Sequence, residues 1–292
     1  SYGIEYCLIS SKSDFNNVLG KGIKNKIFYL DTNIIYRALG INGDDRKILT
    51  NIFLEKCCKC GVTLKISKYT ENEFKRSINF HVKKLSQYKT INIDPKYFEN
   101  IDVNPGIYMF YHLWRKGRTD TSIEKFKHYI FSQFDSLCDK FNITFDYKPY
   151  FDQKNPNDKR ILKEYYLSIQ IYKKDDEYYE DLEYNENKRY FFDAANVLLV
   201  EKARGSKHCR FLDTKHFIIS SDQALRKWDF ERESTPPIVL LPTHWLSIVL
   251  RYTGRSEDDY KSFVSFINLK RTNTISDEQL HMICAGINEM TT

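Results

Sequence analysis

Apolar and polar positions fall into alternating blocks along the chain. "IFYL" (27–30) is a short apolar run bounded by Lys26 and Asp31, the pattern of a strand buried on both faces, and helix-forming residues follow from about Asn33. Asp44 or Asp45 is placed to cap a helix running to about Cys60, with Gly61 as its left-handed terminator. "VTLKI" (62–66) reads as a second buried strand, and helix formers resume at about Thr70. Further on, "RYFFDAANVLLVEKAR" (189–204) has helical spacing, while "HFIIS" (216–220) and "IVLL" (238–241) read as strands. The run "VLLPTHWLSIVLRYTGR" reads as the last strand followed by an amphipathic helix, with Trp245, Leu246, Val249 and Leu250 on its core side.

Strand–helix alternation implies parallel pairing through crossover connections. The first and last thirds of the chain are therefore expected to form one doubly wound α/β sheet flanked by helices. Residues 1–89 supply its first part, and residues 188–292 its second part with C-terminal helices. Residues 90–187 do not alternate in this way. They are rich in Tyr, Phe and Lys, look helical around 124–141 and 157–174, and end in the acidic run "DDEYYEDLEYNE", so they are expected to form a mainly helical insertion or cap. The chain shows no internal repeat.

Composition narrows the class. With 292 residues, 41% hydrophobic and 29% charged, the chain can bury a full core and does not have the composition of a disordered one. Its longest apolar stretches fall short of the roughly 20 residues that span a bilayer, and no basic, apolar leader is seen; a cytoplasmic protein without membrane attachment is expected. Seven cysteines without paired spacing do not make a disulfide framework, and "CCKC" (57–60) lacks the second ligand pair of a zinc site, so these read as free thiols at a helix end. His208 and His216 have no partner spacing either and read as loop or core residues. No Gly-x-Ser-x-Gly elbow or phosphate-binding Gly-Lys loop occurs.

Charge is unevenly spread. Residues 1–150 carry 24 Lys and Arg against 16 Asp and Glu, whereas residues 151–292 carry 21 against 23. Within the basic half, "KRSINFHVKKLSQYK" (75–89) and "YHLWRKGR" (111–118) interleave cations with aromatics, as a surface that tracks phosphates and stacks bases would. Lys75, Arg76, Lys83, Lys84, Arg115, Lys116 and Arg118 are the candidate contacts to nucleic acid; a solvated helix face is the plainer alternative.

Candidate chemistry sits where the strands end. In open α/β sheets ligands gather at the carboxyl ends of the strands, and Asp31 ends the first one. Alone it would be read as a helix N-cap. Three other positions change that reading: Glu71 or Glu73 after the second strand, Asp193 on an apolar helix start, and Asp222 just past the strand at 216–220. Burying a lone carboxylate is costly unless it is paired or holds a cation. Several at one sheet edge imply a hard divalent ion such as Mg²⁺ or Mn²⁺, suited to hydrolysis of a phosphodiester.

In order, "YLDTNIIYRAL", "ISKYTENEF", "DAANVLLVEKAR" and "IISSDQAL" resemble the motifs of the PIN-domain nucleases. The resemblance covers roughly residues 25–85 and 188–245. It implies a PIN-like α/β fold and places Asp31, Glu73, Asp193 and Asp222 as the catalytic and metal-site acids, with Thr32, Asn33 and Ser221 as supporting polar groups. Glu73 fits the family's Thr-x-x-Glu from Thr70, with Glu71 as the fallback. The implied activity is Mg²⁺- or Mn²⁺-dependent endoribonuclease cleavage. Prokaryotic members are often toxins or defence effectors. Two other readings stay open: a nuclease acting on single-stranded or branched DNA, and a non-catalytic adaptor that binds nucleic acid or, through the insertion, a protein partner. The long stretch between Glu73 and Asp193 departs from compact members of the family.

Overall fold

A computed structural model describes residues 23–88, 94, 96, 106–173, 184–205, 213–232, 236–246 and 282. Five strands form one parallel sheet: β1 (Ile27–Leu30), β2 (Thr63–Ser67), β3 (Thr144–Asp146), β4 (His216–Ile219) and β5 (Val239–Leu240), in the order β3-β2-β1-β4-β5. The chain steps outward from β1 to β2 to β3, then returns to the other side of β1 with β4. The order therefore reverses between β1 and β4, where an open α/β sheet forms its ligand crevice.

Period-two alternation along β1 assigns the two faces. Phe28 and Leu30 enter one core with Leu64, Ile66, Phe217 and Ile219, covered by α1 (Thr32–Leu39), α2 (Asp44–Lys59), α3 (Lys68–Leu85), α4 (Ile107–Arg115) and α5 (Ile123–Lys140). Tyr29 enters the other with Ile218 and Val239, covered by α6 (Pro156–Lys173), α7 (Arg189–Arg204) and α8 (Gln223–Glu231). The architecture is three layers, with helices on both faces of the sheet. Each layer of helices buries its own apolar face, and every one of the strands at 27–30, 216–219 and 239–240 has a buried residue at its end.

The middle stretch belongs to this framework. It supplies β3 as an edge strand, α5 to one face of the sheet and α6 to the other. Three residues on 144–146 carry too few positions to show alternation, so no strand was expected there. Its anchor is polar: Asp146 accepts from Tyr29 Oη at 2.9 Å and Lys65 Nζ at 2.8 Å, joining β3 to β1 and β2 on one face. Burial alone would raise the Asp146 carboxyl, but Lys65, the Lys148 N–H and Tyr29 outweigh it and hold the group at about 2.

Other elements follow from local signals. Ser67 caps α3 by accepting from the Thr70 N–H, and Gly40 ends α1 with φ +87°. α2 is capped at Gly43 rather than by Asp44 or Asp45, both of which lie in its first turn. Cys57 is buried at its end, with Cys58 and Cys60 partly so, all three as free thiols. His216 stacks on Tyr29, and burial lowers its imidazole to about 4. The rest of the helix expected past Leu246, most of the acidic run and His208 lie outside the described residues. Among the described residues no helix is long and apolar enough to cross a membrane.

Candidate functional site

The carboxyl ends of β1, β2 and β4 meet the start of α7 and the end of α6 at one crevice. Asp31 follows β1 and caps α1, its Oδ1 accepting from the Thr32 N–H at 2.7 Å. Its Oδ2 accepts from Asn33 Nδ2 and Ser220 Oγ, both at 2.5 Å. Register explains the Ser220 contact. Leu30 pairs with Ile219, so the next positions, Asp31 and Ser220, lie side by side on the same face of the sheet. Ser221, one residue on, does not reach Asp31 but donates to Asn33 Oδ1 at 2.8 Å. It therefore orients Asn33, while Ser220 contacts the acid.

Glu73 lies in the second turn of α3 and accepts from Thr32 Oγ1. Two helical residues are about 200° apart around the axis, so Glu71 and Glu73 cannot face the same site. Glu71 instead pairs with Lys75 at 2.5 Å and accepts from Tyr147 Oη at 2.8 Å. On α7, Arg189, Asp193 and Asn196 fall at i, i+4 and i+7 and form one stripe. Asn196 is buried, accepting from Ser67 Oγ and donating to Thr70 Oγ1 at 3.1 Å, which ties this stripe to the β2–α3 junction.

Asp193 and Asp222 converge on Lys173, the last residue of α6, with Nζ–O distances of 2.7 and 2.5 Å. The Lys173 side chain is only 7% exposed. Asp222 also caps α8, accepting from the Leu225 N–H at 2.9 Å, and its own N–H donates to Ser220 Oγ at 3.0 Å. Asp31, Glu73, Asp193 and Asp222 thus form one electrostatic unit built from four separate segments.

The protonation balance reflects burial first and crowding of negative charge second. Burial and then the Asp193 charge push Asp31 up to about 6, with Ser220 and Lys173 only partly offsetting them. Burial, Asp31 and Asp193 push Glu73 well above the usual carboxylate range. Burial also raises Asp193 against the pull of Lys173. Asp222 is the exception: burial opposes ionisation, but Lys173 and the helix N–H groups hold it below its ordinary value. Burial disfavours the charge on Lys173, yet Asp193 and Asp222 raise its affinity for the proton.

The basic candidates are dispersed. Arg76 donates to Asn187 at 2.5 Å and lies over the Phe192 ring, next to the start of α7. Lys75 is engaged by Glu71. Lys83 and Lys84 lie in the last turn of α3, about 15 Å along the axis from Glu73. Arg115 stacks on Tyr111, and Arg118 lies over Trp114 and Tyr129. Lys116 and Arg118 border a surface cavity of about 590 Å³ near the α1–α2 turn, which contains none of the four acids.

Comparison with protein-family models, with curated proteins and with solved structures gives no significant match to this chain.

Among the described residues no three His, Cys, Asp or Glu side chains are placed as ligands of one metal ion. Lys173, Ser220 and Asn196 were not singled out in the sequence. Lys173 left a trace: with Leu162, Tyr166 and Ile169 it continues the buried stripe of α6 at spacings of four, three and four. A cation in line with an apolar stripe signals a buried acidic partner.

Proposed function

We propose that the protein is a metal-dependent nuclease of PIN-like fold that hydrolyses RNA phosphodiester bonds. The observation that carries this reading is the convergence of Asp31, Glu73, Asp193 and Asp222 from four segments at the switch point of a parallel sheet, where burial first, and the neighbouring acids second, raise three of their carboxyls.

The donor set fits Mg²⁺ or Mn²⁺. It is all hard carboxylate oxygen, and an ammonium already stands among the acids as a counter-cation. When bound, the metal supplies Lewis acidity for attack of water on the phosphodiester. Asp31, held by Asn33 and Ser220, and Asp193, held on the α7 stripe, would hold it; Glu73 and Asp222 would complete the pocket or position water. Thr32 fixes Glu73, and Arg76 is the nearest of the candidate phosphate contacts.

The test is cleavage of single-stranded RNA in Mn²⁺ by the full chain. Asp31→Asn and Asp193→Asn are expected to abolish it, and a chelator to do so without unfolding the protein. Undiminished cleavage by both variants would reject the site. Single-stranded and branched DNA in the same assay separates the DNA-nuclease reading.

A second reading, a non-catalytic adaptor, draws on the Lys173 ion pairs, which hold two of the four acids on one ammonium without a metal. It predicts neither cleavage nor Mn²⁺ binding.

A further inference from the structure

We infer that Lys173 is a tethered counter-cation of the acidic pocket, paired with Asp193 and Asp222, and that a divalent ion entering the pocket displaces it. The inference rests on the metal-site reading above and adds to it a competition between a side chain and the ion.

Geometry points this way. Lys173 Nζ lies between Asp193 Oδ2 and Asp222 Oδ2, within contact distance of both, and its side chain is almost fully covered. Those two oxygens belong to acids from different elements, α7 and the β4–α8 junction, so the ammonium joins segments that would otherwise repel. A divalent ion entering between the same carboxylates brings twice the charge and needs the same oxygens, and one oxygen cannot give its full contact to both cations.

The backbone of Lys173 is well placed for such an exchange. α6 is locked to α7 by Lys202 on Asp158 at 2.7 Å and to α8 by Trp228 Nε1 donating to Ser168 Oγ at 2.9 Å. Withdrawal therefore requires only rotation of the four-carbon stem at the helix end. The ammonium offsets part of the cost of burying four acids together, and a divalent ion in its place would offset more. Once withdrawn, the ammonium remains at the rim of the crevice, within reach of a phosphate that approaches the ion.

Two measurements test this on the full chain. In the first, Mn²⁺ binding is followed by the loss of its free-ion resonance signal, for the wild type, Lys173→Gln and Asp193→Asn. Lys173→Gln is expected to bind Mn²⁺ about ten-fold more tightly than the wild type, and its thermal midpoint to fall in chelator and recover in Mn²⁺. Asp193→Asn is expected to lose binding. Equal or weaker binding by Lys173→Gln, with binding still lost in Asp193→Asn, overturns the role of Lys173 and leaves the metal site standing. No Mn²⁺ binding by any of the three overturns both.

The second measurement needs no variant. Acylation of lysines in the wild type, read by mass spectrometry, is expected to be slow at Lys173 in chelator and several-fold faster at saturating Mg²⁺. An unchanged or slower rate in Mg²⁺ overturns the displacement even if Lys173→Gln fails to fold.

Discussion

Asp31 serves two ends that substitution can separate. Its Oδ1 caps α1, and its Oδ2 is held by Asn33 and Ser220 at the crevice. Asparagine keeps the cap, so Asp31→Asn is expected to unfold in urea within about 1 kcal/mol of the wild type while losing cleavage. Asp31→Ala also strips acceptors from Asn33 and Ser220 and should cost about 2 kcal/mol. The same logic applies on α3. Glu73→Gln is expected to reduce cleavage by about 100-fold or more, and Glu71→Gln by no more than about two-fold, in a single-turnover assay. Equal losses would mean that the Lys75 and Tyr147 contacts of Glu71 do not keep it away from the reaction.

At the scale of elements, polar groups decide how the pieces join. β3 is held by Asp146 against Tyr29 and Lys65, and its carboxyl is depressed to about 2. A carboxyl lowered in the folded state adds stability above its ordinary value near 4, and that stability is lost as pH falls from about 4 to about 2. The thermal midpoint of the wild type should therefore drop across that window, and Asp146→Asn should show a shallower drop from a lower plateau. α1 ends through Gly40, whose φ of +87° is unfavourable for a side chain. An added Cβ would meet Cδ of the flexible Lys47 side chain at 2.9 Å, which can shift, so backbone strain dominates and Gly40→Ala should cost about 1 kcal/mol in urea unfolding.

For the whole molecule, the middle stretch is part of the scaffold, since it supplies an edge strand and helices to both faces of the sheet. Deleting residues 107–173 is expected to abolish cooperative unfolding and near-ultraviolet dichroism, because both layers would lose cover. Much of the architecture was legible beforehand. The runs at 27–30, 63–67, 189–204 and 216–219 carry their own periodicity and boundary residues, and their alternation requires parallel pairing. The four acids were legible for a related reason: each stands beside a strand end or helix start, where a charged residue interrupts an apolar pattern. The edge strand at 144–146 was hidden because three residues show no period, and it is held by partners 81 and 117 positions away. Lys173 was hidden because its meaning lies in Asp193 and Asp222, 20 residues and more along the chain, and Ser220 was passed over for Ser221 because only the register of β4 against β1 tells them apart. The sequence by itself determined the elements and the supply of carboxylates, which depend on local pattern. Tertiary structure alone decided which face each side chain takes and which cation meets which acid, since those depend on register and on helices packed from distant parts of the chain.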